Sequence, residues 1–218
     1  MANRGLWHDE YWLPLMQLYL KRPQGVKPMY SRRLVDLALE LHITPEHLYK
    51  QMFRLRQLDT PQIKQLWDKY AKSPRKLNRE VDRLRKMSGF GKHEEFYAGV
   101  EINESWERDF KPIPGAEGEN PLMPIKIIVI LDLYFRLVPA TMVPETPEIK
   151  TLAKQIRSTP EEVSELMEVF RFCDPLLSHE DIMIHPLLTP CMKVWKRFGN
   201  ESPEKLAALA AQLKDYWK

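Results

Sequence analysis

Four residues, His47, Lys50, Gln51 and Arg54, carry the side chains of this chain best suited to contacting another polar molecule. With residues set every 100° about a helix axis and Leu48, Met52 and Leu55 turned to a core, the four are expected together on the opposite side. Each can donate hydrogen bonds: arginine and lysine suit guanine, glutamine suits adenine, and all can reach phosphate. Arg32 and Arg33 begin the preceding predicted helix, and Lys72, Arg75 and Lys76 stand at the start of a later one, where they could meet backbone phosphates. Other groupings offer less chemistry. His179, Glu180, Asp181 and His185 place two histidines six residues apart, off a common helical face, whereas a zinc-binding helix spaces them by four; a surface loop is expected. His8, Asp9 and Glu10 read as an acidic first turn favoured by the helix dipole. Cys173 and Cys191 are too few for a disulfide framework and read as small core residues. There is no phosphate-binding loop and no nucleophile elbow, and Gly89-Phe90-Gly91 lacks both the third glycine and the preceding strand of a dinucleotide site. No catalytic residue, metal ligand or cofactor is therefore expected, and the chain is not read as an enzyme.

Short helices must position these residues. Apolar residues at 11, 12, 15, 18 and 19 give a first helix within residues 7–21, closed by Arg22-Pro23-Gln24-Gly25. Ser31 is expected to cap a second over residues 32–41, with Leu34, Leu37, Ala38 and Leu41 on one face. Thr44-Pro45-Glu46 opens a third, because threonine can accept the free amide hydrogen bonds and proline at the first helical position loses none. The same Ser/Thr-Pro device recurs at 60–61, 73–74, 146–147, 159–160, 189–190 and 202–203, so seven of the 18 prolines are read as helix starts. Helix four is expected to bury Ile63, Leu66, Trp67 and Tyr70, and helix five Leu77, Val81 and Leu84. Sliding residues 11–59 onto 126–174 without a gap pairs identical residues at 18/133, 19/134, 37/152, 38/153, 44/159, 45/160, 46/161, 52/167, 56/171 and 59/174. The fold class is thus all-α, a tandem repeat of two homologous multi-helix units. Residues 1–87 form the first, basic repeat and 121–218 the second, acidic one, with an insertion at 175–190. Residues 88–120, holding five of eight glycines and Phe90, Phe96, Tyr97, Trp106 and Phe110, join them as an aromatic-containing connector, with a short strand or hairpin expected near 97–103.

Residues 34–56, LVDLALELHITPEHLYKQMFRLR, resemble the helix-turn-helix of bacterial DNA-binding proteins, and residues 149–171 are a degenerate second copy. Ala38 stands where a small residue lets the helices approach, Ile43 where the turn buries an apolar side chain, and Leu48 where the recognition helix packs back. The sequence departs at His42, where that family usually has a glycine in the left-handed conformation. The resemblance implies a DNA-binding transcriptional regulator that reads double-stranded DNA with His47, Lys50, Gln51 and Arg54, while Arg32 and Arg33 bind the backbone.

Charge separates the two halves. Residues 1–100 hold 19 Lys+Arg against 11 Asp+Glu, a net +8, and residues 101–218 hold 14 against 19, a net −5. The positions equivalent to 47, 50, 51 and 54 are Glu162, Glu165, Leu166 and Val169. Carboxylates facing phosphate would be repelled, so the second repeat is assigned to protein association or self-association through exposed Leu166 and Val169. The alternative is a non-enzymatic interaction scaffold that touches no nucleic acid and docks an acidic protein on its basic face. The longest apolar stretch, 127–137, is interrupted by Asp132 and Arg136 and falls short of the ~20 residues of a bilayer span. It is read as a buried helix, no membrane partner is expected, and without a secretory leader a cytoplasmic location follows.

Overall fold

The computed structural model describes residues 7–87, 89–90, 105–116, 118–177 and 184–218. Among these the fold is all-helical: eleven α-helices and three short 3-10 segments, with no strand. The hairpin expected near 97–103 lies outside the described residues. The chain divides into two compact units, Met1–Glu104 and Ser105–Lys218.

The first unit opens with a 3-10 turn, Asp9–Tyr11, that runs into α1 (Trp12–Leu20). None of the nine residues of α1 is exposed, because α2 (Arg32–Leu41), α3 (Pro45–Gln57) and α5 (Pro74–Lys86) all pack on it. A helix with no polar side must be enclosed in this way. α2 buries Leu34, Val35, Leu37, Ala38 and Leu41, and α3 buries the expected Leu48, Met52 and Leu55. The turn between them is set by the backbone of His42, which is left-handed (φ 53°, ψ 37°). Its amide bonds to Leu39 O and that of Ile43 to Ala38 O (3.0 Å), the paired bonds of a Schellman ending. Ile43, 2% exposed, is buried beside Ala38. α4 (Pro61–Tyr70) buries Ile63 and Tyr70 but leaves Leu66 and Trp67 half-covered, and α5 buries Leu77 and Val81 with Leu84 half-covered.

In the second unit, α6 (Ser105–Asp109) and Phe110 come from the stretch read as connector, yet they pack here. Asp109 accepts two hydrogen bonds from Arg197 (2.6 and 2.8 Å), and Phe110 meets Tyr216. The centre is α7 (Pro124–Tyr134), in which every residue from Ile125 to Tyr134 is buried. Around it lie α8 (Pro147–Gln155), α9 (Pro160–Cys173), α10 (Leu188–Phe198) and α11 (Pro203–Leu213). The α8–α9 turn passes through Arg157 at φ 54°, with Ser158 N bonded to Ala153 O at 2.9 Å. Lys126, buried within α7, extends its ammonium to the carbonyls of Asn120 (2.9 Å) and Arg157 (3.4 Å). Burial draws the pKa of that amine below the usual lysine range.

Proline is the first helical residue of α3, α4, α5, α8, α9 and α11, as expected, and also of α7. Thr44, Thr60, Thr159 and Ser202 accept the capping amide bond, and Thr159 with Glu162 completes a capping box. Three expectations fail in detail. Ser31 holds the N-cap position of α2 without a capping bond, and its hydroxyl is buried without a partner. Ser73 and Thr146 stand at their caps without bonding as caps, Thr146 donating instead to Thr141 O. α10 begins at Leu188, one residue before Thr189, so Pro190 falls within the first turn, where its missing amide still costs nothing.

A left-handed histidine makes the α2–α3 turn a direct test. Valine at 42 should cost about 1–2 kcal/mol or more, since a β-branched residue resists this conformation. His42→Gly should retain most of the thermal stability. Thermal melts of the two variants check the contrast.

Candidate nucleic-acid interface

The residues proposed to read DNA come together on α3, but largely in contact with the protein itself. Arg54 donates through Nη1 to Gln51 Oε1 (3.1 Å) and through Nε to Asp59 Oδ2 (2.7 Å), and its guanidinium lies 5.7 Å from the centre of the Trp12 ring. The amide nitrogen of Gln51 lies 2.9 Å from His47 Nε2, so the glutamine donates there while accepting from Arg54. The His47 ring stacks on Trp7 at 5.9 Å between centres, the planes inclined by 26°. A hydrogen-bonded ladder thus runs up one edge of α3, flanked by aromatic residues from the start of the chain. Of the four, only Lys50 is exposed; Arg54 and His47 are half-covered.

Gln51 is not outward-facing: it is 7% exposed. It stands one residue before Met52 and therefore beside the core stripe, 100° round the helix from it, not opposite. Leu166 and Val169 correct the reading in the same direction, at 2% and 0% exposed. α9 packs against α7, α8 and α10, so its buried arc is much wider than a three-residue stripe, and neither residue can meet a partner. The carboxylates of the second unit do stay outside. Glu165 is exposed and contacts His185 (3.1 Å), and Glu162 is bound into its own helix start.

Arg32 and Arg33 are exposed at the start of α2, Arg33 donating to Arg22 O (3.1 Å). A second basic face was only partly foreseen. α5 presents Arg75, Arg79, Arg83 and Lys86, all exposed, along one side, lining a shallow open groove with Asn78 and Asp82. Sequence reading singled out Arg75, but the signal for the others was present in their spacing of four, four and three residues.

No group of three or more metal-ligating side chains converges among the described residues; 178–183, and with them His179, Glu180 and Asp181, lie outside these. Cys191 is buried and Cys173 half-buried. Burial pushes the two thiols up to about 12 and about 11 respectively. No described helix is long and apolar enough to cross a membrane. No protein-family model, curated protein or solved structure matches the chain.

Two outcomes follow. Gln51→Leu removes the middle of the α3 ladder and should lower stability by roughly 1 kcal/mol, read in a denaturant titration. Because a thiol reacts as its thiolate, raised pKa values leave about one part in a thousand or less of either cysteine ionised at pH 8. Alkylation of the native protein should be orders of magnitude slower than in urea, accelerating only above about pH 10.

Proposed function

We propose that this is an internally duplicated helical protein whose first unit binds double-stranded DNA and whose second mediates association, the arrangement of a transcriptional regulator rather than an enzyme. The duplication is supported helix by helix: α1 to α5 and α7 to α11 follow in the same order with similar lengths. His42 and Arg157, 115 residues apart, share the left-handed turn. Tyr19 and Trp67 meet edge-to-face at 5.8 Å and 76°, and their counterparts Tyr134 and Trp195 at 5.9 Å and 76°.

The observation that carries the DNA reading is a change of sign on a kept frame. Exposed Arg33 and Lys50 face outward where the second unit has exposed Glu148 and Glu165, while core positions such as Leu34/Ile149, Leu48/Val163 and Met52/Met167 stay buried and apolar. Selection for packing alone leaves such outward residues free, so the reversal of sign at these two positions, together with the net +8 and −5 of the two halves, supports an anionic partner for the first unit. Association by the second unit is better assigned to its exposed apolar side chains Phe135, Val138 and Val143 than to the buried Leu166 and Val169.

One observation favours the scaffold reading instead. The internally satisfied ladder on α3 leaves little there for base readout, so the basic surface could serve an acidic protein equally well.

An electrophoretic shift with mixed-sequence duplex at low salt decides between them. Micromolar or tighter binding is expected, weakened more than tenfold by Arg32→Glu, Arg33→Glu and Lys50→Glu together. No shift at micromolar protein sinks the DNA reading and leaves the scaffold.

A further inference from the structure

We infer that the outer face of α5 is a phosphate-backbone track, the surface through which the first unit holds a nucleic-acid strand without reading its sequence. The assignment rests on the first unit's being a nucleic-acid binder, and it moves the main contact from α3 to α5.

Arg75, Arg79, Arg83 and Lys86 fall within an 80° arc of the helix, and neighbours one turn apart rise about 6 Å. The stripe therefore extends about 17 Å, a length over which a duplex presents roughly ten phosphates. Two carboxylates lie close: Glu80 contacts Arg83 at 3.6 Å, and Asp82 stands on the same groove. The Arg83 side chain remains 73% exposed despite that contact. Arg75, Arg79 and Lys86 make no ion pair among the described residues, so their donors are not committed as those of Arg54 are.

The direction of the stripe is fixed from behind. Leu77 and Val81 seat α5 on α1, and Arg85 grips Glu40 of α2 with two bonds, 2.6 and 2.9 Å. Such a fork against a carboxylate is geometrically specific and resists rotation of the helix. Packing does not require the stripe itself. In α11, Leu206, Ala210 and Leu213 are buried where α5 has buried Leu77 and Val81 and half-covered Leu84. The positions matching the stripe are Glu204, Ala208 and Gln212 on α11 and Asp215 in the 3-10 turn that follows it, without one cation. A helix of the same frame thus does without these charges, which points to a ligand. Phosphate is the ligand that a row of guanidinium forks suits best, since each can grip two of its oxygens.

The test is fluorescence anisotropy of the full chain with a labelled mixed-sequence duplex, titrated at several salt concentrations. Arg75→Gln, Arg79→Gln and Arg83→Gln together should weaken binding at least tenfold and reduce the slope of log K against log salt by about 2–3. Replacing the same three by lysine should keep that slope. Removing equal charge elsewhere, with Lys150→Gln, Lys154→Gln and Lys193→Gln, should change affinity less than threefold. Melting curves confirm that each variant folds. The inference is overturned if the glutamine variant binds like the parent, or if the distant control loses as much. Should only Arg32→Glu, Arg33→Glu and Lys50→Glu abolish binding, DNA recognition stands and the α5 track falls. Should the parent bind no duplex, both fall, and binding to anionic vesicles alone would assign the stripe to lipid headgroups.

Discussion

Each unit is built on a helix that has no polar side. α1 exposes none of its nine residues and α7 none of its eleven, so neither is stable in water until neighbours cover it all round. The rest of each unit is the means of covering. Because α1 and α7 are only 9 and 11 residues long, the surrounding helices must also be short and must reverse direction quickly. Ser/Thr-Pro starts and left-handed endings meet that requirement: the first begins a helix without a stray amide, the second ends one within two residues. Lys126 shows how closely centre and shell are joined. Its buried ammonium reaches the carbonyl of Arg157, the residue on which the α8–α9 turn pivots.

A frame made this way constrains inward residues tightly and outward ones hardly at all. Large buried side chains such as Leu48, Met52 and Leu55 have counterparts in Val163, Met167 and Phe170, all 0% or 1% exposed. On the later helices, the exposed α5 stripe of Arg75, Arg79 and Arg83 is cationic where α11 has Glu204, Ala208 and Gln212. On the duplication proposed above, surface divergence reflects different partners, and the shared interior reflects the common need to enclose an apolar helix.

Signals that act within a few residues were legible in the sequence. Apolar spacing, the proline starts and the α2–α3 turn all depend on neighbours in the chain, and the departure at His42 marked the residue that adopts φ 53°. What escaped depends on distant segments. Nothing local to α3 tells that Trp7 will stack on His47 or that Trp12 will receive Arg54. The misplacing of Leu166 and Val169 has the same origin: a helical wheel locates the centre of a buried arc, while its width is decided by how many helices pack on it. Ser31 is a further case, since its type and position suit a cap but its hydroxyl is enclosed without one.

Magnitudes decide what α3 could contribute to recognition. To reach a base edge, Arg54 must leave Asp59, Gln51 and the face of Trp12. The partly exposed ion pair contributes about 0–1 kcal/mol, the glutamine bond about 1 and the aromatic contact about 0.5–1. Their sum, about 1.5–3 kcal/mol, matches the roughly 1–3 kcal/mol that a good bidentate base contact supplies. Exchanging one set for the other gains almost nothing. Cations that begin without strong partners, such as Arg75 and Arg79 on α5, surrender no such contacts on meeting phosphate. If the first unit binds DNA as proposed above, its energetic preference is therefore for backbone contact, and sequence selectivity has to enter through the shape and deformability of the duplex.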